Sequence, residues 1–235
     1  MASLFSYLKS SILSKVVMAA TGVVLVAFLF GHMLGNTQMY LGQEKMNHYA
    51  ETLQSLGGAL WIIRSVMFLS VLLHIITSVY LKFLNMKARP VAYEVKKWVK
   101  ASIFSRTMLW TGVMIALFVT YHIMHFTLGS TNPGSFHITD AAGRHDVYTM
   151  VLLGYQNAAI SCVYIAAMLM LGFHLNHAIS SAFQTLGVNH PKYNRLIGTG
   201  SIVVSLVIMC GFISVPLGVL LGIIKPVATA VAGGL

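Results

Sequence analysis

The sequence predicts an all-α bundle of five transmembrane helices, and three observations point there. Hydrophobic residues make up 57% of the 235 and charged residues only 9%, where a soluble domain carries about 25% charged residues. Mean hydropathy is +0.79, which leaves too little polar surface to keep the chain in water. Five apolar runs each reach the roughly 20 residues that a membrane-crossing helix needs. None shows the even alternation of barrel strands, so helices must satisfy the backbone in lipid. One membrane domain, residues 1–235, is expected, with no room for a second, soluble one and no nucleic-acid partner.

Residues 1–14 form a short amphipathic lead-in that carries Lys9. The apolar run after it is too long for a signal-peptide core, holds His32 and precedes no A-x-A-like site, so it reads as a mature span. The spans are expected at about 15–36, 59–82, 104–128, 148–180 and 195–224. The fourth exceeds what a bilayer requires, which implies tilt or protrusion at its basic side. Cys162 and Cys210 both fall inside spans, which argues against a disulfide scaffold.

Charge placement orients the bundle. Lys9, Lys15, Lys82, Lys87, Arg89, Lys96, Lys97, Lys100, Arg106, Lys192 and Arg195 fall on the side of the N-terminus, against Lys45, Arg64, Arg144 and Lys225 on the other. Four of the five acids, Glu44, Glu51, Asp140 and Asp146, join the second group. The N-terminus is therefore expected inside, in the cytoplasm, and the C-terminus outside the cell membrane. The outer I–II loop should hold a short helix, because Met46, Tyr49, Ala50 and Leu53 recur at helical spacing. The outer III–IV loop is turn-rich around Asn132-Pro133-Gly134. The inner II–III loop is the most basic segment and is broken by Pro90, suiting either anionic lipid or a cytoplasmic partner.

Six histidines, His32, His74, His122, His125, His174 and His177, lie in or at the ends of spans, where an ionisable group is costly and marks a functional site by default. Depth sorts them. His32 stands seventeen residues past Lys15, about 25 Å along a helix. His122 stands sixteen past Arg106, about 24 Å. His74 precedes Lys82 by eight, about 12 Å from the inner end, and His174 lies late in span IV. A Thr-Gly pair, Thr21-Gly22 and Thr111-Gly112, stands eleven residues before His32 and before His122. Spans I and III thus meet in histidines near the outside, and II and IV nearer the inside.

Two histidine pairs at two depths on four antiparallel helices describe two bis-histidine haem sites, closed to other iron ligands and suited to electron transfer. Gly22, Gly31, Gly35, Gly112 and Gly172 would leave space for flat macrocycles, although small residues also serve close helix packing. Interhelical hydrogen bonding would explain one such histidine as well as ligation does, but accounts poorly for four matched by depth. A copper or zinc transporter would want added Met, Cys or carboxylate at the same level, and no span holds an Asp or Glu. His125 and His177 each follow a candidate ligand by one turn, and periodicity alone does not separate them from His122 and His174.

At these residues the chain resembles the five-helix, two-haem cytochrome b anchor subunit of succinate dehydrogenases and fumarate reductases. The motifs are GHMLGN around His32, FLSVLLHIITSVYL around His74, TGVMIALFVTYHIMHF around His122 and FHLNHAISSAFQTLG around His174. Their order, number and spacing carry the resemblance over spans I to IV. It implies His32 and His122 as ligands of the outer haem b and His74 and His174 as those of the inner one. His174 is preferred over His177 because thirteen residues separate it from Gly187, as in the family. Also implied are a flavoprotein subunit with FAD and an iron–sulfur subunit on the inner face, membrane lipid around the spans, and a quinone, mostly menaquinone in two-haem members. Succinate and fumarate chemistry would belong to the flavoprotein. Arg106, Lys82 and Arg64 are candidates for haem propionates, and Gln38, His48, Glu51, Arg64 and His125 for the quinone. A cytochrome b anchoring another respiratory dehydrogenase, such as a hydrogenase, and a haem-free transport or binding bundle are the rival readings.

Some relatives place a carboxylate just before the span IV ligand; here Gly172 takes that position. No carboxylate path for protons through the bundle is therefore expected. Turnover in proteoliposomes loaded with a pH dye should be indifferent to span substitutions as far as proton crossing goes. A span variant that abolished turnover-linked crossing would contradict this.

Overall fold

Helix starts follow from side chains that replace the missing preceding turn. The computed structural model describes residues 10–88, 91 and 102–227. Lys9, Arg89, Pro90, Lys96, Lys97 and Lys100 lie outside the described residues, as do most of the basic II–III loop and the small-residue tail. Helix α1, Ser11–Thr37, is capped by the Ser10 hydroxyl and runs on into a 3-10 turn, Gln38–Leu41. Helix α2, Gln43–Ser55, is the expected outer-loop helix, and α3 spans Gly58–Ala88. Helix α4, Ile103–His122, is capped by Ser102 and closes in a π turn, Ile123–Thr127. A short α5, Pro133–Phe136, leads to α6, Val147–Gln156, α7, Ala158–Thr185, and α8, Pro191–Leu220. No strand forms among the described residues; one isolated bridge joins Thr139 to His145.

Five helices are long and apolar enough to cross a membrane: α1 with its 3-10 turn, α3, α4 with its π turn, α7 and α8. That is the make-up of a multi-pass membrane protein. The fourth run departs from expectation. Instead of one tilted span over 148–180, the chain breaks at Asn157 (φ −74°, ψ 108°), and only α7 is a candidate span. Asn157 favours the break because its side chain accepts from the N–H groups of Ala159 (3.0 Å) and Ile160 (3.3 Å). The Ser161 hydroxyl then donates to the Tyr155 carbonyl at 2.6 Å. The backbone groups freed by the break thus find partners inside the protein, as an apolar medium demands.

Helices α7 and α8 form a spine, packed through Met168, Leu171, Leu175 and Ile208. Helix α1 lies against both and carries α3 on its flank, while α4 packs against α7. Helices α3 and α4 are nearly bare: Ser70 and Leu81 are the buried residues of α3, and Thr111 that of α4. Close approaches mark the inner contacts. A Cβ on Gly35 would stand 2.6 Å from the Tyr49 phenol, and one on Gly172 would meet Met209. These two glycines serve helix packing.

The end of the bundle that carries the acids is closed by a polar network between α2 and the segment before α6. Asn47, 1% exposed, donates to Asp146 (2.9 Å) and Asp140 (3.1 Å) and accepts from the Tyr148 N–H (3.0 Å). Arg144 grips Glu44 through two bonds, 3.1 and 2.6 Å, and Asp140 through Nε at 2.8 Å. The hydrogen bond from Arg144 holds the Glu44 carboxyl below its ordinary range. Burial pushes Asp140 up, but bonds from Arg144, Asn47 and the Ala142 N–H outweigh it and hold that carboxyl low as well.

Asn47→Ala strands buried partners, each at a cost of about 1–3 kcal/mol, and should lower the thermal unfolding temperature in detergent. Carboxyls with folded pKa values below their unfolded ones stabilise fully above the unfolded value and lose that contribution as pH falls through the folded one. Protection of α2 amides, taken as the ratio of the intrinsic to the observed exchange rate at each pH, should therefore be steady from pH 5 to 8 and fall only below about pH 4.

Candidate functional site

The repeated Thr-Gly pair is part of a longer repeat, Met18-x-x-Thr21-Gly22 on α1 and Met108-x-x-Thr111-Gly112 on α4. Each copy faces a histidine of the next long helix. On α1 the Thr21 hydroxyl donates to the Val17 carbonyl at 2.8 Å, so its oxygen is left to accept from Nδ1 of His74 at 3.2 Å. The same Nδ1 lies 3.1 Å from the Met18 carbonyl, which can only accept. His74 is therefore protonated at Nδ1, and Nε2 keeps its lone pair. On α4 the Thr111 hydroxyl donates to the Thr107 carbonyl at 3.1 Å and accepts from Nδ1 of His174 at 3.2 Å. With the hydroxyl proton on Thr107, this contact calls for the same tautomer, but no carbonyl at Nδ1 enforces it as Met18 does for His74. A Cβ on Gly22 would stand 3.4 Å from His74 Cε1, and one on Gly112 3.6 Å from His174 Cε1, so each glycine lets an imidazole lie close to the helix.

The hairpins α1–α3 and α4–α7 are thus parallel repeats. In each, the first helix holds the histidine of the second and carries its own histidine, His32 or His122, eleven residues further along. Those two meet, with ring centroids 5.8 Å apart at 77°. That spacing suits an edge-to-face ring contact and also two imidazoles bonded to one metal, about 6 Å apart for bonds of about 2.0 Å. Phe28 stacks on His32 at 5.3 Å, and Phe212 tilts against it at 5.6 Å. Nothing would touch a Cβ on Gly31 within 4 Å.

Periodicity left His125 and His177 open, and the geometry separates them from their neighbours. A π turn carries fewer degrees per residue than an α turn, so His125 falls further round from His122 than one-turn spacing implies. It points into the α6–α7 side, 1% exposed, with Nδ1 bonded to the Tyr164 phenol at 2.9 Å and its ring on Phe126 at 4.0 Å. The same phenol lies 3.5 Å from Nδ1 of His122. On α7, His174 and not His177 meets Thr111 and Gly112.

The candidates at the acid-bearing end are not gathered into one constellation. Glu51 lies 3.9 Å from Arg144 and 3.7 Å from His48, on the exposed side of α2. Arg64 stands over the Trp61 ring at 5.0 Å, Gln38 opens the 3-10 turn, and His125 is enclosed. Lys82 and Arg106 are exposed at the opposite end.

Among the described residues no group of three or more His, Cys, Asp or Glu is placed to hold a metal ion. A protein-only zinc or copper site needs three or four ligands. The span histidines come as pairs, and two imidazoles are the donor set that a porphyrin-held iron takes from a protein. Sequence reasoning missed Met18 and Tyr164 as histidine partners; the first was visible in the longer repeat, while nothing in the sequence marks the second. No family model, curated protein or solved structure matches the chain.

Proposed function

We propose that this chain is the membrane-anchor cytochrome b subunit of a succinate:quinone oxidoreductase, a succinate dehydrogenase or fumarate reductase. In that role it passes electrons through two bis-histidine b haems between an iron–sulfur subunit and membrane menaquinone. The observation that supports the reading best is the matched holding of His74 and His174. Nδ1 of each meets a threonine oxygen, joined at His74 by the Met18 carbonyl, and with Nδ1 protonated the lone pair of Nε2 is left for a metal, the arrangement of metal-ligating histidines. When bound, each haem would supply a one-electron couple, with a histidine pair holding its iron.

His74 and His174 would hold the inner haem, and His32 and His122 the outer one. Arg106, Lys82 and Arg64 offer cations for propionates at the two levels. Gln38, His48, Glu51 and Arg64 are the polar groups near the outer level from which a quinone site would draw. With the N-terminus in the cytoplasm, as the lysine and arginine placement argues, the flavoprotein and iron–sulfur subunits dock on the basic inner face. The chain then carries no succinate site of its own.

A reduced-minus-oxidised spectrum of the purified chain tests this, and b-type bands at two haems per chain are expected. Absence of the bands would return the bundle to the haem-free reading. Exchanging His74 or His174 for alanine should remove one haem and spare the other; retention of both refutes the ligand assignment. In the purified complex, succinate should reduce the haem, which separates this oxidoreductase from a hydrogenase anchor.

A further inference from the structure

We infer that Thr21 and Thr111 are positioning residues for the two inner histidines and that they hold them unequally: His174 depends on its threonine, and His74 does not. The inference rests on the haem reading above and concerns residues that reading leaves without a role.

The two copies of the Met-x-x-Thr-Gly repeat share their threonine geometry but not their carbonyl. Nδ1 of His74 is shared between Thr21 Oγ1 at 3.2 Å and the Met18 carbonyl at 3.1 Å. Among the described residues Nδ1 of His174 is bonded to Thr111 Oγ1 alone, at 3.2 Å. The imidazole of His174 also stands slightly further from the threonine-bearing helix it faces, 3.6 Å against 3.4 Å measured from the glycine Cβ position. A backbone carbonyl survives any side-chain substitution, so His74 keeps an acceptor when Thr21 is lost. His174 has no such reserve.

An acceptor on Nδ1–H fixes the ring and raises the electron-donating power of Nε2. A stronger donor favours ferric over ferrous iron, so losing the acceptor should raise the midpoint potential of the haem it serves and loosen its hold. Outer-sphere partners of this kind typically carry about 10-fold to 100-fold in affinity. Valine matches threonine in shape and removes only the hydroxyl, and serine restores it.

The test compares Thr21→Val, Thr111→Val and Thr111→Ser in the intact complex, reading haem per chain and the midpoint of each haem by redox titration. Thr111→Val should shift the inner-haem wave upward or lose that haem. Thr21→Val should do so much less, Thr111→Ser should approach the parent, and the outer wave should stay in place throughout. Equal effects of the two valine variants, no effect of Thr111→Val, or a shift confined to the outer wave overturns the inference. Nitrogen-15 NMR of the histidine-labelled chain separates the two claims. Nδ1-protonated His74 and His174 in the parent, with His174 becoming a tautomer mixture in Thr111→Val while His74 keeps its tautomer in Thr21→Val, upholds the unequal holding even in a parent without b-type bands. In that case only the haem reading falls. A His174 tautomer indifferent to the valine overturns the positioning role whatever the haem content.

Discussion

A histidine on an apolar, membrane-length helix has to find its hydrogen bonds inside the bundle, because lipid supplies none. The arrangement of α1, α3, α4 and α7 answers to that requirement. Threonine hydroxyls on α1 and α4 turn their own protons inward to the helix backbone and offer their oxygens sideways. The imidazoles of the neighbouring helices come to those oxygens over glycines that keep the approach clear. Apolar side chains do little to press two helices together in lipid, so packing and polar contacts must hold them. Helix α3 and helix α4 bury little surface, so the Thr21–His74 and Thr111–His174 contacts count for more in fixing their rotation than they would in a water-soluble bundle.

The weight of conventional packing lies elsewhere. Helices α7 and α8 interlock along their length, and the acid-bearing end is shut by α2 and α6 through Asn47, Asp146 and Arg144. This leaves an interlocked pair, α7 and α8, and a polar cap, with α1 lying against both, α3 against α1 and α4 against α7.

Much of this was legible in the sequence where the relevant signal is local. Long apolar runs and the amphipathic spacing in Gln43–Ser55 each report on their own neighbourhood. The Thr-Gly repeat was legible too, but in sequence it measures only depth along a helix; that it grips a histidine on the following helix is a tertiary fact. Averaged hydropathy hid the break at Asn157, because one polar residue scarcely lowers the mean of an apolar window. The polar residues near the outer end read as candidates for one quinone site, yet Glu51 lies towards Arg144, 93 positions away, while His48 sits beside Glu51 and Arg64 over Trp61, each a three-residue step along its own helix. The Glu51–Arg144 separation leaves no periodic trace.

The π turn at Ile123–Thr127 has a consequence for how the protein tolerates changes in length. It winds one more residue into a turn than an α-helix does, so it behaves as an insertion absorbed without a loop. Everything after it is set about 100° out of phase with the helix before it. Removing a single residue there would leave a better α-helix and a worse protein. His125 would swing out of the Tyr164 pocket, Phe126 would leave Gly154, and the chain would enter the following loop facing the wrong neighbour. At this point the reading frame of the helix, rather than the identity of any side chain, is what seats His125 against Tyr164.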